Sequence, residues 1–142
     1  MLDTTPRWVW HALLMTAGFI CIMAAGLLPV YGKRIAGWYR IHVASAVIGG
    51  ILVILAVSMV FAVPYLSAIP SAFLVHVVLG VLLVLSLLTA LLLALLRSRV
   101  GGSRKATMRT AHLWMGRVFI VLVVINILLG LTAVGLLLPC LL

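Results

Sequence analysis

The chain has 142 residues, of which 67% are hydrophobic and only 8% charged, against about 25% charged in ordinary globular chains. That composition excludes a water-soluble globular domain. The formal charge of +9 raises nucleic-acid binding as a possibility, but the cations sit at helix ends in the pattern of a membrane topology, and no nucleic-acid partner is expected.

Charge-free runs extend over residues 8–32, 41–96 and 118–142. A spanning helix needs about 20 apolar residues, so the middle run holds two spans, broken at Pro64 and Pro70. After a short lead in which Thr4 or Thr5 can cap before Pro6, the first helix is predicted over about 8–30. Trp8, Trp10 and Tyr31 mark its two interfaces. Its apolar run exceeds the roughly 7–15 residues of a signal-peptide core, so it reads as a retained helix. The second helix follows over about 38–63, with Tyr65 at the outer surface, and the third over about 71–96, started by Pro70 and Ser71. Gly101, Gly102 and Ser103 form a flexible inner loop. The fourth runs over about 107–138 and stops at Pro139; it is longer than a bilayer needs, so tilt or a protruding inner turn is expected. The fold class is an all-α membrane protein, a four-helix up-down transmembrane bundle forming one domain over residues 1–142.

Lys33, Arg34 and Arg40 follow the first helix, and Arg97, Arg99, Arg104, Lys105 and Arg109 precede the body of the fourth; the remaining connection and the C-terminus carry no cation. By the positive-inside rule, both termini and the Pro64–Pro70 turn face away from the cytoplasm, with the protein integral to the cell membrane. Anionic lipid is a further partner for the cations. Cys21 and Cys140 lack any C-x-x-C companion, which excludes covalent haem attachment and zinc ribbons.

The chain has four histidines, His11, His42, His76 and His112, one near the start of each helix. Ionisable groups in membrane helices are functional candidates because burying them unpaired is costly. Helices one and three start outside, two and four inside. Topology therefore makes two cross-bundle pairs, His11 with His76 in the outer leaflet and His42 with His112 in the inner one. Zinc wants four protein ligands, and the only acid is Asp3. Haem supplies its own equatorial nitrogens and needs only two axial ligands. Met15 and Met115 lie on the same helix faces as their histidines and read as packing. Gly18 and Gly49 stand seven residues after their histidines, Gly80 and Gly116 four, and would let a porphyrin approach. The two irons would then stand roughly 20 Å apart. Arg40 and Arg109 can pair with inner haem propionates and Arg7 with outer ones. Arg117 can serve a propionate or snorkel to the interface. Alone, any one histidine reads equally as a satisfied polar residue or a proton relay. Asn126 could bond a neighbouring helix or lie on a route between the sites, and interhelical packing is the reading preferred for it, as for Ser45, Ser58, Ser86 and Thr89.

The segments His11-Ala-Leu-Leu-Met-Thr-Ala-Gly-Phe19, Tyr39-Arg-Ile-His42, His76-Val-Val-Leu-Gly80 and His112-Leu-Trp-Met-Gly-Arg117, with Ile125-Asn126-Ile-Leu-Leu-Gly130, resemble the four-helix core of the cytochrome b561 family, especially members joined to DOMON domains. The resemblance implies two non-covalent b haems, bis-histidine ligated by His11–His76 and His42–His112. It also implies transmembrane electron transfer between a donor and an acceptor on opposite faces (a quinol, a small reductant or an extracytoplasmic redox protein), and a homodimer. Against six-helix members, the chain lacks the flanking helix at each end and has no soluble module, so an ascorbate or ferric-reductase assignment is not carried over. The alternative is a small membrane anchor or assembly subunit that docks a redox partner with one haem or none. An ion or proton transporter using histidine relays is weaker, because transporters break their helices at mid-membrane.

Overall fold

The computed structural model describes residues 7–61 and 71–133. These form four helices, α1 (Arg7–Tyr31), α2 (Trp38–Phe61), α3 (Ser71–Arg97) and α4 (Gly102–Ala133). All four are long and apolar enough to cross a membrane, which establishes the all-α, four-helix membrane class. The capping Thr4 or Thr5, Pro6, Asp3, the Pro64–Pro70 turn with Tyr65, Pro139 and Cys140 lie outside the described residues.

The chain divides into two compact units, each an antiparallel hairpin: α1 with α2, and α3 with α4. In the first, Gly32 follows α1 and bonds back to the Leu28 carbonyl at 2.9 Å. A Cβ there would stand 2.9 Å from the Leu28 carbonyl oxygen, which favours glycine at that stop. Gly37 then takes a positive φ of 74° to open α2. In the second hairpin, the flexible inner loop is shorter than the sequence suggested. α4 begins at Gly102, not near Thr107, and takes Gly102 and Ser103 into its first turn. Arg104, Lys105, Ala106, Met108 and Arg109, all good helix formers, carry the helix out beyond the hydrocarbon, because backbone bonds satisfied within the helix need no membrane. At 32 residues and about 1.5 Å per residue, α4 reaches about 48 Å, well past a hydrocarbon core of about 30 Å.

Every helix uses one interior stripe. Counting from its histidine, the residues seven and fourteen positions later are buried: Gly18 and Ala25, Gly49 and Ala56, Leu83 and Ala90, Phe119 and Asn126. Steps of seven keep to one side of an α-helix, drifting by about 20° each. The two hairpins fill the centre of that stripe differently. In α1–α2 the backbones meet: a Cβ on Gly18 would lie 3.0 Å from the Gly49 carbonyl oxygen, and one on Gly49 only 2.8 Å from that of Gly18. In α3–α4 the same level is filled by Leu83 and Phe119, 1% and 2% exposed. Small residues that let backbones approach are one of the two ways helices hold together in lipid, and interlocking large side chains are the other. The outward faces carry large apolar side chains such as Ile20, Leu55, Leu85 and Val121, all exposed, as surfaces that meet lipid require.

Gly18 and Gly49 are thus corrected from the sequence reading. They are buried against one another between α1 and α2 and leave no face for a porphyrin.

Candidate functional site

All four histidines sit one to three turns into their helices, each half-buried against its hairpin partner. Each has its Nδ1 on a backbone carbonyl of the facing helix: His11 on Ala56 at 2.8 Å, His42 on Ala25 at 2.7 Å, His76 on Asn126 at 3.0 Å and His112 on Ala90 at 2.9 Å. A carbonyl oxygen can only accept, so Nδ1 must carry the hydrogen and donate it. In the neutral ring the lone pair then lies on Nε2, the tautomer a metal ligand needs, with the ring's orientation held by the outer bond.

The four acceptors follow one rule. Ala25, Ala56, Ala90 and Asn126 each stand fourteen residues after the histidine of their own helix. Each hairpin therefore repeats itself about a local two-fold: every helix offers a histidine at one end and a carbonyl at the other. Fourteen residues at about 1.5 Å place the two histidines of a hairpin about 21 Å apart along its axis. One hairpin cannot present both of its imidazoles to one metal ion. Among the described residues no three His, Cys, Asp or Glu side chains come together.

A carbonyl within a helix is normally engaged by the N–H four residues on, and two of the sites show how room is made. Pro29 lies inside α1, and proline brings no N–H to the carbonyl four residues back; that carbonyl is Ala25, the acceptor of His42. In α4 the corresponding residue is Gly130. A Cβ there would stand 2.9 Å from Cε1 of His76 and 3.3 Å from its Nδ1, so only glycine lets the ring lie flat on the helix. Ala25, Ala56, Ala90, Pro29 and the packing role of Gly130 were not picked out from sequence. Their one legible signal is the fourteen-residue interval from each histidine to a small residue, which holds in three helices and is broken by Asn126.

Gly116 and Gly80 fare differently from the Gly18–Gly49 pair. A Cβ on Gly116 would meet nothing within 4 Å, whereas one on Gly80 would stand 3.7 Å from the Asn126 side-chain nitrogen. The surface of α4 one turn after His112 is thus open, as a flat ring approaching the helix would need. The cations expected near a site lie on its rim. Arg7 opens α1 one turn before His11, Arg40 precedes His42 by two residues and Arg109 precedes His112 by three, all exposed. Arg117 is also exposed, with its guanidinium 4.9 Å from the centroid of the Trp114 ring on its own helix. Tyr39 stacks on His42, ring centroids 6.3 Å apart at 27°. Cys21 carries a free, half-buried thiol. Ser58, Ser86 and Thr89 return their hydroxyls to carbonyls of their own helices at 2.8 Å, the bland reading for those three.

Four helices long and apolar enough to cross a membrane, each holding one imidazole by its Nδ1 on a facing carbonyl, define a membrane protein with one oriented histidine per helix. A sequence profile described as eukaryotic cytochrome b561 matches residues 10–137, and the chain belongs to that family. No match stands among curated proteins or among solved structures. The family moves electrons across membranes by means of b-type haem, so the chain is an integral membrane cytochrome with haem b as its cofactor. The residues fit that group: a haem held by imidazoles would ask for rings oriented through Nδ1 and for helix surface clear of side chains, and His11, His42, His76, His112 and Gly116 meet those demands.

Proposed function

We propose that this chain conducts electrons across the cell membrane through two haem b groups, held in a single four-helix domain over residues 1–142. His11 and His76 hold one group near the non-cytoplasmic face, where both termini lie. His42 and His112 hold the other near the cytoplasmic face. The observation that carries this reading is the shared register of the two hairpins. Each supplies one prepared imidazole near each end, about 21 Å apart, so a haem held by two histidines would draw one from each hairpin. Under the positive-inside orientation, residues at matching depth pair as His11 with His76 and His42 with His112.

Bound haem b supplies a one-electron carrier at each level; what the protein's own residues do is bind, orient and screen. The carbonyls of Ala25, Ala56, Ala90 and Asn126 hold the four rings in one tautomer, so that no proton need be lost from Nε2 on ligation. Gly116 leaves the inner site open along α4. Arg40, Arg109 and Arg117 offer charge-assisted bonds to carboxylates at the inner rim and Arg7 at the outer rim. Hydrophobic flanks on every helix keep water from the ligand level and lower the local dielectric, which is one control on redox potential. Donor and acceptor approach from opposite faces, as a quinol, a small reductant or an extracytoplasmic redox protein, and the chain forms a homodimer.

A reduced-minus-oxidised absorbance spectrum of the purified protein, with haem extracted and counted per chain, tests the reading. Two low-spin b-type haems per chain are expected. One haem, or none in protein made with ample haem, would overturn it in favour of a membrane anchor for a redox partner.

A further inference from the structure

Asn126 departs from the rule that the other three helices obey. At the position fourteen residues after the histidine, α1, α2 and α3 have alanine, and a backbone carbonyl is all that the facing imidazole uses. In α4 the same carbonyl is offered by an asparagine that is 3% exposed, with its side-chain oxygen buried and without a hydrogen-bond partner among the described residues. An unpaired buried amide oxygen costs free energy that alanine would spare. Adhesion to α3 through that oxygen would need a donor there, and the described residues supply none.

The carboxamide is placed where it can act on the His76 level. Side chains on a helix lean toward its N-terminus, which directs Asn126 back toward the membrane centre. It lies beside Gly80, one turn after His76 on α3, with its nitrogen 3.7 Å from where a Gly80 Cβ would be. The same residue bonds the ring through its main chain at 3.0 Å. Gly130, one turn further along α4, lies against that ring. His76 is thus held by α4 at two successive contacts, the Asn126 carbonyl and Gly130, and the Asn126 side chain beside Gly80 brings a dipole into a low-dielectric interior, where such fields are strong. The equivalent positions facing His11, His42 and His112 are alanines and bring none.

We infer that Asn126 is a positioning residue that makes the two haem levels electrostatically unequal, setting the reduction potential at the His76 level apart from that at the His42–His112 level. This rests on the two-haem reading above. The test is a potentiometric titration of the haem-loaded protein beside Asn126→Ala, which installs the residue of the other three helices, and Asn126→Leu, which keeps the volume without the dipole. His76→Ala identifies which spectral component belongs to that level.

Both variants are expected to keep two haems. The component missing from His76→Ala should move by at least threefold in its reduction equilibrium, about 28 mV at 59 mV per tenfold, while the other stays in place; the sign of the shift reports which end of the carboxamide faces the cofactor. Two components that stay put, or that move together, would overturn the inference. So would loss of the His76-level haem from both variants, since that would make Asn126 a packing residue. A wild-type chain with fewer than two haems would instead remove the two-haem reading, and the haem count shows this before any titration.

Discussion

His42 donates its Nδ1–H to the carbonyl of Ala25 at 2.7 Å, the shortest of the four imidazole bonds, and that carbonyl is the one Pro29 leaves without a helical N–H. The proline does not break α1, which continues to Tyr31. It converts a helical acceptor into one reserved for the facing helix. Restoring the N–H with Pro29→Ala sets up competition for Ala25. Outer-shell partners of metal-binding histidines contribute about 10–100-fold to affinity, so the inner haem is expected to bind about tenfold more weakly while the outer one is unchanged. Haem titration into the haem-free protein, followed at each spectral component, measures it; equal weakening at both levels would count against a local effect.

The ligand assignments predict two separable losses. His76→Ala should remove the outer haem and leave the inner one, and His42→Ala should do the reverse. Haem counting and redox difference spectra of the two single variants decide it. If either variant loses both haems while remaining folded, or if His42→Ala removes only the component that His76→Ala removes, the pairing is wrong.

Gly130 makes a finer prediction at the same level. Gly130→Ala puts a methyl 2.9 Å from Cε1 of His76, a distance that side-chain carbons do not tolerate, so the ring must turn. The outer haem should keep its place in the count at reduced affinity, with an altered low-spin electron paramagnetic resonance signal. An unchanged signal at that level would show that the ring does not depend on the glycine.

In the first hairpin the glycines act on packing. Gly49→Ala places a methyl 2.8 Å from the Gly18 carbonyl oxygen and 2.6 Å from a side-chain carbon of Ile22, which should cost about 1–3 kcal/mol as overpacking. Gly116→Ala, with nothing within 4 Å and inside α4, should stabilise the haem-free protein by about 0.4–1 kcal/mol. Unfolding of both variants in detergent compares them. A bulkier Gly116→Leu is expected to spare that stability and impair loading of the inner haem.

Hydropathy and charge are properties of the chain read along one dimension, and so are spans and depth. Four helices, their starts within a few residues, and one histidine at a repeated depth in each were therefore legible before any fold. The fourth helix was misjudged at its start because Gly102 and Ser103 are poor helix formers whose local cost is outweighed by the long cooperative helix that follows. What two helices do to one another depends on crossing and register, which no single helix encodes. Gly18 and Gly49 show this: their spacing from the histidines suits a cofactor and a helix crossing equally, and only the approach of α1 to α2 assigns them to the crossing. The partners of the imidazoles show it more strongly, because they are main-chain oxygens. Every residue has one, so Ala25, Ala56 and Ala90 carry no chemical mark. Only the antiparallel packing selects which carbonyl meets which ring, and only that packing leaves the side-chain oxygen of Asn126 buried without a partner among the described residues.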